Sequence, residues 1–490
     1  MPKPKFLAID LGAETGRAFV GTLDAGRIIL EEIHRFPNVP LIVAGHLRWD
    51  VPRLFADVKT ALRIAVEKGH RGILSVGVDT WGVDFGLMNT EHNSIDLPFT
   101  YRDKRTDGIM EKVFKKIPLD EIYRRTGIQF MQINSLFQLY SLIDNDRGSL
   151  SKYSTLLFMP DIFNYLLTGK EFSEYTISST SQLLNVWSKE FDQAIFSTLG
   201  LPNDIMAPLI TPGTRIGRIL PSIAAETGVN ECEVIAVGSH DTASAVAAVP
   251  AVSGRWAYLS SGTWSLVGIE SDMPIVNYAA RRENFTNEGG TNGKITFLQN
   301  IVGLWLLQEV RKKWEGSGIH YSYDEIAGLA METQECGSLV DPADSSFLNP
   351  TDMETAIIHF CSRTNQPAPK TKSQIVRTIF DSLALKYRSA IRKLEDVSRV
   401  NIERLYIVGG GSRNSLLNQF SSDAAGIPVT AGPVEASVLG NIMVQAITNG
   451  NIKSFAHGRE MIRESFELRE YLPRDSGKWD TLEKTRTFEV

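Results

Sequence analysis

Two aspartates in this sequence stand where an apolar run gives way to small and polar residues. Asp10 closes the run 6–9 and is followed by residues 11–17 (LGAETGR). A carboxylate at a strand's carboxyl end, beside backbone N–H groups that can approach an anion, suits Mg²⁺, which keeps several of its waters. The same residue type also serves as a turn former that accepts local N–H groups. Asp241 follows residues 238–240 (GSH) and precedes the small-residue segment 243–249. There a carboxylate can cap a helix or take the proton of a substrate hydroxyl. His240 beside it is either a structural hydrogen-bonding histidine or a substrate contact. Trp81 and Asp84, inside residues 79–85 (DTWGVDF), offer a ring to stack on a polyol and a carboxylate to bind it. A tryptophan near the end of a buried strand serves equally well as core.

Three loops of small residues also follow apolar runs: 12–17, 260–263 and 409–411. Small residues let backbone N–H groups close on a phosphate, and Ser or Thr hydroxyls add donors. Each loop is also compatible with a plain tight turn. Two named phosphate motifs are excluded. Residues 290–295 (GTNGKI) lack the spacing of a Walker A loop and the hydroxyl residue after Lys294. Residues 409–414 (GGGSRN) have Asn414 where a dinucleotide fingerprint needs its third glycine.

The elements that would position these residues alternate in the α/β manner. Residues 6–10, 18–23 and 27–36 read as three strands, so the chain opens strand–turn–strand and not with the strand–turn–helix of a dinucleotide site. Asp50, with Pro52 behind it, starts a helix whose stripe is Leu54, Val58, Ala61, Leu62 and Ala65 and which Gly69 ends. Residues 73–79 and 233–237 are buried strands, and 158–167 a helix closed by Gly169. The opening pattern then returns as strand 255–260, turn 261–263 and strand 264–269, which points to a duplicated domain. Residues 372 to about 399 carry a long helical stripe, Ile375 to Leu394, before the strand 405–408. The expected domains are 1–250 and 251–490, meeting near residues 250–254.

Composition narrows the function classes. The chain has 490 residues with 51 Lys and Arg against 57 Asp and Glu, a net charge of −6, and no basic run, so a nucleic-acid partner is not expected. With 43% hydrophobic and 22% charged residues it reads as folded and globular. No stretch approaches the roughly 18 apolar residues of a membrane helix, and four apolar residues before Asp10 make no signal peptide. Cys232, Cys336 and Cys361 are odd in number and widely spaced, which fits a reducing cytoplasm and neither disulfides nor a zinc site. The histidines form no H-E-x-x-H pair.

Taken together and in order, these segments resemble the FGGY family of carbohydrate kinases. The match runs through residues 9–17, 79–85, 101–106 (YRDKRT), 159–169 and 239–245 (SHDTASA). It continues through 258–266 (YLSSGTWSL), 287–290 (NEGG), 300–308, 408–418 and 432–440. The resemblance implies two ribonuclease-H-like/actin-like domains, related by duplication, around an interdomain catalytic cleft. It implies ATP-dependent phosphorylation of a ketose at its 1-hydroxyl, with Mg²⁺. DTWGVDF and SSGTWSL favour L-rhamnulose, with L-fuculose, L-ribulose or xylulose as alternatives, and an actin-like nucleotide-binding scaffold as a distant one. Asp241 would be the base, and Gly82, His240, Asp241, Thr242 and Asn300 would line the sugar site. Ala13, Glu14, Thr15, Gly16, Arg17 and Thr263 would hold the ATP phosphates. Gln308 would touch the nucleotide, Gly410 would pack beside adenosine, and Asp10 would serve the metal. Glu14 departs from the small hydroxyl residue expected there, and its charge would need Mg²⁺ or a base such as Arg17. The implied partners are a ketose and ATP only, with no membrane, and monomer and homodimer both open.

Overall fold

The structure is a computed structural model that describes residues 3–92, 94–144, 148–251, 253–333, 337–347 and 350–484. Cys336 lies outside the described residues, while Cys232 and Cys361 are both buried. The chain forms two compact units. The first gathers Met1–Ala248, Glu270–Phe297 and Ala436–Ser465, and the second gathers Val249–Ile269, Leu298–Glu435 and Phe466–Val490. The division is therefore more than one cut near residue 250. The late helix Ala436–Thr448 returns to the first unit because nearly its whole surface is apolar or small and is buried there.

In the first unit, β1 (Lys5–Leu11), β2 (Thr15–Asp24) and β3 (Arg27–Pro37) form an antiparallel meander. With β4 (Ser75–Thr80), β5 (Arg215–Arg218) and β6 (Glu233–Ile235) the sheet runs β3–β2–β1–β4–β6–β5. The pairs β1–β4 and β4–β6 are parallel, and β5–β6 is antiparallel. β4 is buried along its whole length, and Phe6 to Leu11 of β1 likewise, as central parallel strands covered on both faces must be. One cover is the helix Val51–Glu67, begun by Asp50 accepting from Arg53 N and burying Val51, Leu54, Val58, Ala61, Leu62 and Ala65. Each large side chain buried in this way contributes about 1.5–3 kcal/mol. A second core in the same unit is built on Phe85, Phe137, Leu156, Phe158 and Phe196.

β7 (Trp256–Ser261), β8 (Trp264–Ser271), β9 (Ile295–Val302), β10 (Arg404–Val408), β11 (Val429–Ala431) and β12 (Arg469–Tyr471), which apart from residues 270–271 and 295–297 belong to the second unit, follow the order β9–β8–β7–β10–β11–β12. β7–β8 is antiparallel, β7–β10 and β10–β11 are parallel, and β11–β12 is antiparallel. This succession repeats that of the first unit from β2 to β5, so the repeated strand–turn–strand is the visible part of a duplicated sheet. The long helix Lys372–Ser398 sets its buried stripe against this unit.

The helices Ala436–Thr448 and Asp241–Ala247 cross so closely that a Cβ on Gly440 would collide with the Ser244 carbonyl. Gly440→Ala should destabilise the protein by about 1–3 kcal/mol, seen as a lower urea midpoint. Gly328, in the helix Tyr323–Glu332, has open space around its Cβ position. Gly328→Ala should be neutral or stabilising by up to about 1 kcal/mol.

Candidate active site

Parallel pairing puts Asp10 of β1 opposite Asp79 of β4. The segment after β6 continues alongside: Thr80 N–H donates to Ser239 O at 2.9 Å, and Thr80 bridges to His240. Asp10, Asp79 and Asp241 thus stand at the carboxyl ends of neighbouring strands, where open α/β sheets bind ligands.

Asp10 is buried, and its Oδ2 accepts from Arg17 Nε at 3.0 Å, from an Arg17 terminal nitrogen at 2.7 Å and from Ser437 Oγ at 2.5 Å. It is an ion-paired group, not a turn former. Asp79 Oδ2 accepts from Asn441 Nδ2 at 2.6 Å, while its buried Oδ1 has no hydrogen-bond partner among the described residues. Burial raises the Asp79 pKa well above the carboxylate range; the Asp10 and Asp241 charges add to this, and Asn441 and Arg17 oppose it.

His240 is the N-cap of the helix Asp241–Ala247, so Asp241 is that helix's first residue and not its cap. Its Oδ1 accepts from Thr242 Oγ1 at 3.1 Å and lies 3.6 Å from His240 Nε2, with 34% of the side chain still exposed. Surrounding protein raises the Asp241 pKa by desolvation, His240 works against that, and Asp10 adds to it. The Nδ1 of His240 lies 3.2 Å from Glu288 Oε2. Burial disfavours the imidazolium, but Glu288, Asp241 and Glu174 together outweigh it and raise the His240 pKa. Gly82 leaves room beside this pair: a Cβ there would sit 3.2 Å from His240 Nε2 and 3.5 Å from Thr180 Oγ1.

Asp84 takes a different role from the one its position suggested. Its Oδ2 accepts from Trp49 Nε1, Trp81 Nε1 and Tyr101 N, and its Oδ1 from Gln138 Nε2. That carboxylate is fully engaged within the protein. Trp81 is core, 5% exposed and packed on Trp49 with ring centroids 4.4 Å apart. Arg17 bonds to Asp10 and Ser437, and Arg102 stands 3.8 Å from the Glu14 carboxylate.

The first turn is pinned from outside. Gly12 N–H donates to Thr15 O at 2.9 Å, Asn38 N–H to Glu14 O at 2.8 Å, and Asn38 Nδ2 to Gly12 O at 3.0 Å. Ala13, Glu14 and Thr15 form the accessible side of this turn, whereas Gly16 is buried where a Cβ would collide with the Phe36 ring. The remaining expected residues lie in the second unit. Thr263 sits in the turn between β7 and β8 and accepts from Gly303 N at 3.1 Å. Gly410 is exposed in the short turn after β10, whose Gly411 would clash with Ser261 if it carried a Cβ. Asn300 on β9 and Gln308 in the helix Trp305–Gly316 are half-buried.

Four contributors went unrecognised in the sequence as side chains of this site: Asp79, Glu288, Ser437 and Asn441. A signal existed for two of them. Ser437, Asn441 and Gln445 recur every four residues, one polar row along an otherwise apolar helix.

Family models for the FGGY carbohydrate kinases match most of the chain: the N-terminal domain over residues 5–248 and the C-terminal domain over 257–448. The chain belongs to the FGGY family of carbohydrate kinases and is an enzyme of that class. The chain is 45% identical over 478 residues to a rhamnulokinase of Bacteroides thetaiotaomicron, covering 98% of each chain. It is 37% identical over 470 residues to a rhamnulokinase of Bacillus subtilis, covering 96% of each. Among solved structures, gluconate kinase from Lactobacillus acidophilus superposes with a TM-score of 0.81 at 13% identity, covering 98% of this chain and 96% of that one. Plasmodium falciparum glycerol kinase with ADP gives 0.79 at 14%, covering 99% and 97%. These two likenesses concern the fold.

Behind His240, burial pushes the Glu174 pKa up to about 7 from 4.5, against donors from Thr176, Ile177 and Ser239. Because the folded form holds its proton more tightly, this group's stabilisation is complete below pH 4.5 and is lost as pH rises through about 7. The loss amounts to about 3 kcal/mol at most. Glu174→Gln should remove that slope, so wild-type stability relative to the variant should decline between pH 4.5 and 7 in urea titrations. A pH-independent difference would show that Glu174 does not titrate in this window.

Proposed function

We propose that this carbohydrate kinase transfers the γ-phosphoryl group of ATP to the 1-hydroxyl of L-rhamnulose, giving L-rhamnulose 1-phosphate and ADP. The observation that carries the chemistry is the Asp241 carboxylate. It is accessible, its pKa is raised, and among the described residues its side-chain donor is the adjacent Thr242 hydroxyl. A raised carboxylate pKa makes a stronger base, and Asp241 takes the hydroxyl proton as the oxygen attacks phosphorus and the bond to the ADP oxygen breaks. The sugar's identity is supported by the rhamnulokinases to which the chain is similar over nearly its whole length.

His240, Thr242 and Gly82 bind the sugar beside that base, and we assign Asn300 to the same substrate. Glu288, 3.2 Å from His240 Nδ1, orients the ring and favours its charged form, so that Nε2 donates towards a sugar oxygen. The backbone of Ala13, Glu14, Thr15 and Gly16, with the Thr15 hydroxyl, and Thr263 hold ATP phosphates. Gln308 and Gly410 serve the nucleoside. Arg17, bonded to Asp10, is assigned to the phosphate side together with that pair.

The donor set near Asp10 fits Mg²⁺ held mainly by phosphates and water. Among the described residues the buried Asp79 Oδ1 has no hydrogen-bond partner, and no three His, Cys, Asp or Glu side chains converge on one ion. When bound, the ion would offset phosphate charge, with Asp10 and Asp79 on its protein side. No helix of the described residues is long and apolar enough to cross a membrane. The buried, free Cys232 suits the reducing cytoplasm we assign to the enzyme.

Coupled ADP release with L-rhamnulose, L-fuculose, L-ribulose and xylulose tests the substrate: L-rhamnulose should give the highest kcat/KM, and preference for another ketose would replace it. Asp241→Asn should lower kcat by about 10²–10⁴-fold with the fold intact. A loss under tenfold would remove Asp241 as the base. Asp10→Ala should raise the Mg·ATP requirement while leaving sugar binding near wild type, and an unaltered Mg²⁺ dependence would remove that role.

A further inference from the structure

The short helix Tyr175–Ser179 contains none of the residues assigned to substrate, yet three hydroxyls at this helix end on three loops of the site. Thr176 Oγ1 accepts from His240 N at 3.1 Å. Ser179 Oγ accepts from Gly289 N, next to Glu288, at 2.7 Å. Thr180 Oγ1 accepts from Val83 N, next to Gly82, at 3.2 Å.

The direction of these bonds is not left to chance. A hydroxyl has one proton to give and lone pairs to offer. Thr176 gives its proton to Glu174 Oε2 at 2.6 Å, Ser179 to Thr176 O at 2.6 Å, and Thr180 to Ile177 O at 2.8 Å. Each therefore presents a lone pair outward, where only an N–H can meet it. Glu174 anchors the row from below, accepting from Thr176 N at 2.9 Å and Ile177 N at 3.1 Å. Its own N–H is held by the Asp161 carboxylate at 3.2 Å. Thr176, Ser179, Thr180 and Glu174 are all buried, so water cannot replace these partners.

We propose that Thr176, Ser179 and Thr180, anchored by Glu174, form a positioning block that fixes the His240–Asp241, Glu288–Gly289 and Gly82–Val83 segments relative to one another. The 3.2 Å spacing of His240 and Glu288 and the gap left by Gly82 both depend on it. The block belongs to no motif that marked the site, and its residues touch no substrate. Its catalytic consequence rests on the sugar-kinase reading given above, because it acts through His240 and Asp241.

Thr176→Val keeps the shape and removes the hydroxyl, leaving the His240 N–H without its acceptor; Thr176→Ser keeps the hydroxyl. With L-rhamnulose and ATP, Thr176→Val should lower kcat by about 10- to 100-fold, since small misplacements of a reacting group cost that much. KM for ATP should stay within about twofold and the melting temperature close to wild type. Thr176→Ser should recover kcat to within about threefold. Equal activity of Thr176→Val and wild type, or equal impairment of both variants, would overturn the proposal. Should Thr176→Val fail to fold, Ser179→Ala and Thr180→Val carry the same test through the other two loops, with the same two outcomes. A second arm needs no turnover: the His240 imidazole NMR signals, assigned from a His240→Gln spectrum, should shift in Thr176→Val and return in Thr176→Ser. Unshifted signals would overturn the block. If wild type phosphorylates none of the ketoses, the substrate reading falls while the NMR arm still decides the block.

Discussion

Three carboxylates at the ends of adjacent strands repel one another, and the first unit is organised around keeping them there. Asp10 and Asp79 face each other in register across β1 and β4, and Asp241 follows beside them. Buried like charges cannot all ionise without compensation. The unit answers in three ways: Arg17 on Asp10, a proton on Asp79 favoured by burial, and His240 on Asp241. Each answer suits a phosphoryl-transfer site, where a cation and an incoming hydroxyl redistribute the same charges.

Such a cluster holds only if its side chains cannot turn away from one another, and the helix Ala436–Thr448 supplies that restraint. Its row Ser437, Asn441 and Gln445 meets Asp10, Asp79 and the backbone of β1 in succession. Gln445 also donates to Asn441 and accepts from Ser75, so the row is a connected network with defined donors. The close crossing at Gly440 presses this helix against Asp241–Ala247, tying the restraint on two aspartates to the helix that begins with the third.

Much of the fold was legible because its signals are local. The cap at Asp50, the stripe of Val51–Glu67, the stop at Gly169 and the stripe of Lys372–Ser398 all follow from short-range periodicity and caps. The duplicated strand–turn–strand was visible for the same reason. The two loop glycines that matter most, Gly82 and Gly411, were readable as small residues but not as places where a Cβ would crowd His240 or strike Ser261. Asp84 misled because DTWGVDF does not reveal that Trp49 and Gln138, far away in sequence, saturate its carboxylate. Glu14 misled similarly: its partner Arg102 lies well beyond the turn, while the nearer Arg17 bonds to Asp10. Ser437 and Asn441 were hidden by distance, since nothing local says that a helix after residue 435 packs on the first strand.

The two units meet their demands with different materials. In the first, the candidate groups are charged side chains, and their placement needs the dense hydrogen bonding just described. In the second, Thr263 and Gly410 lie on turns whose small residues permit close backbone approach, with Gly411 packed on Ser261. Backbone N–H groups present a fixed partial charge without a titration or a rotamer to control. A ligand carrying several negative charges can be held by such turns at little cost in desolvated protein charge. This removes any need for a basic surface, and a chain of net charge −6 can still receive a polyphosphate. The proton, by contrast, has to move at one defined atom. That requirement is what confines the carboxylates, their counter-charges and the hydroxyl row behind His240 to the first unit.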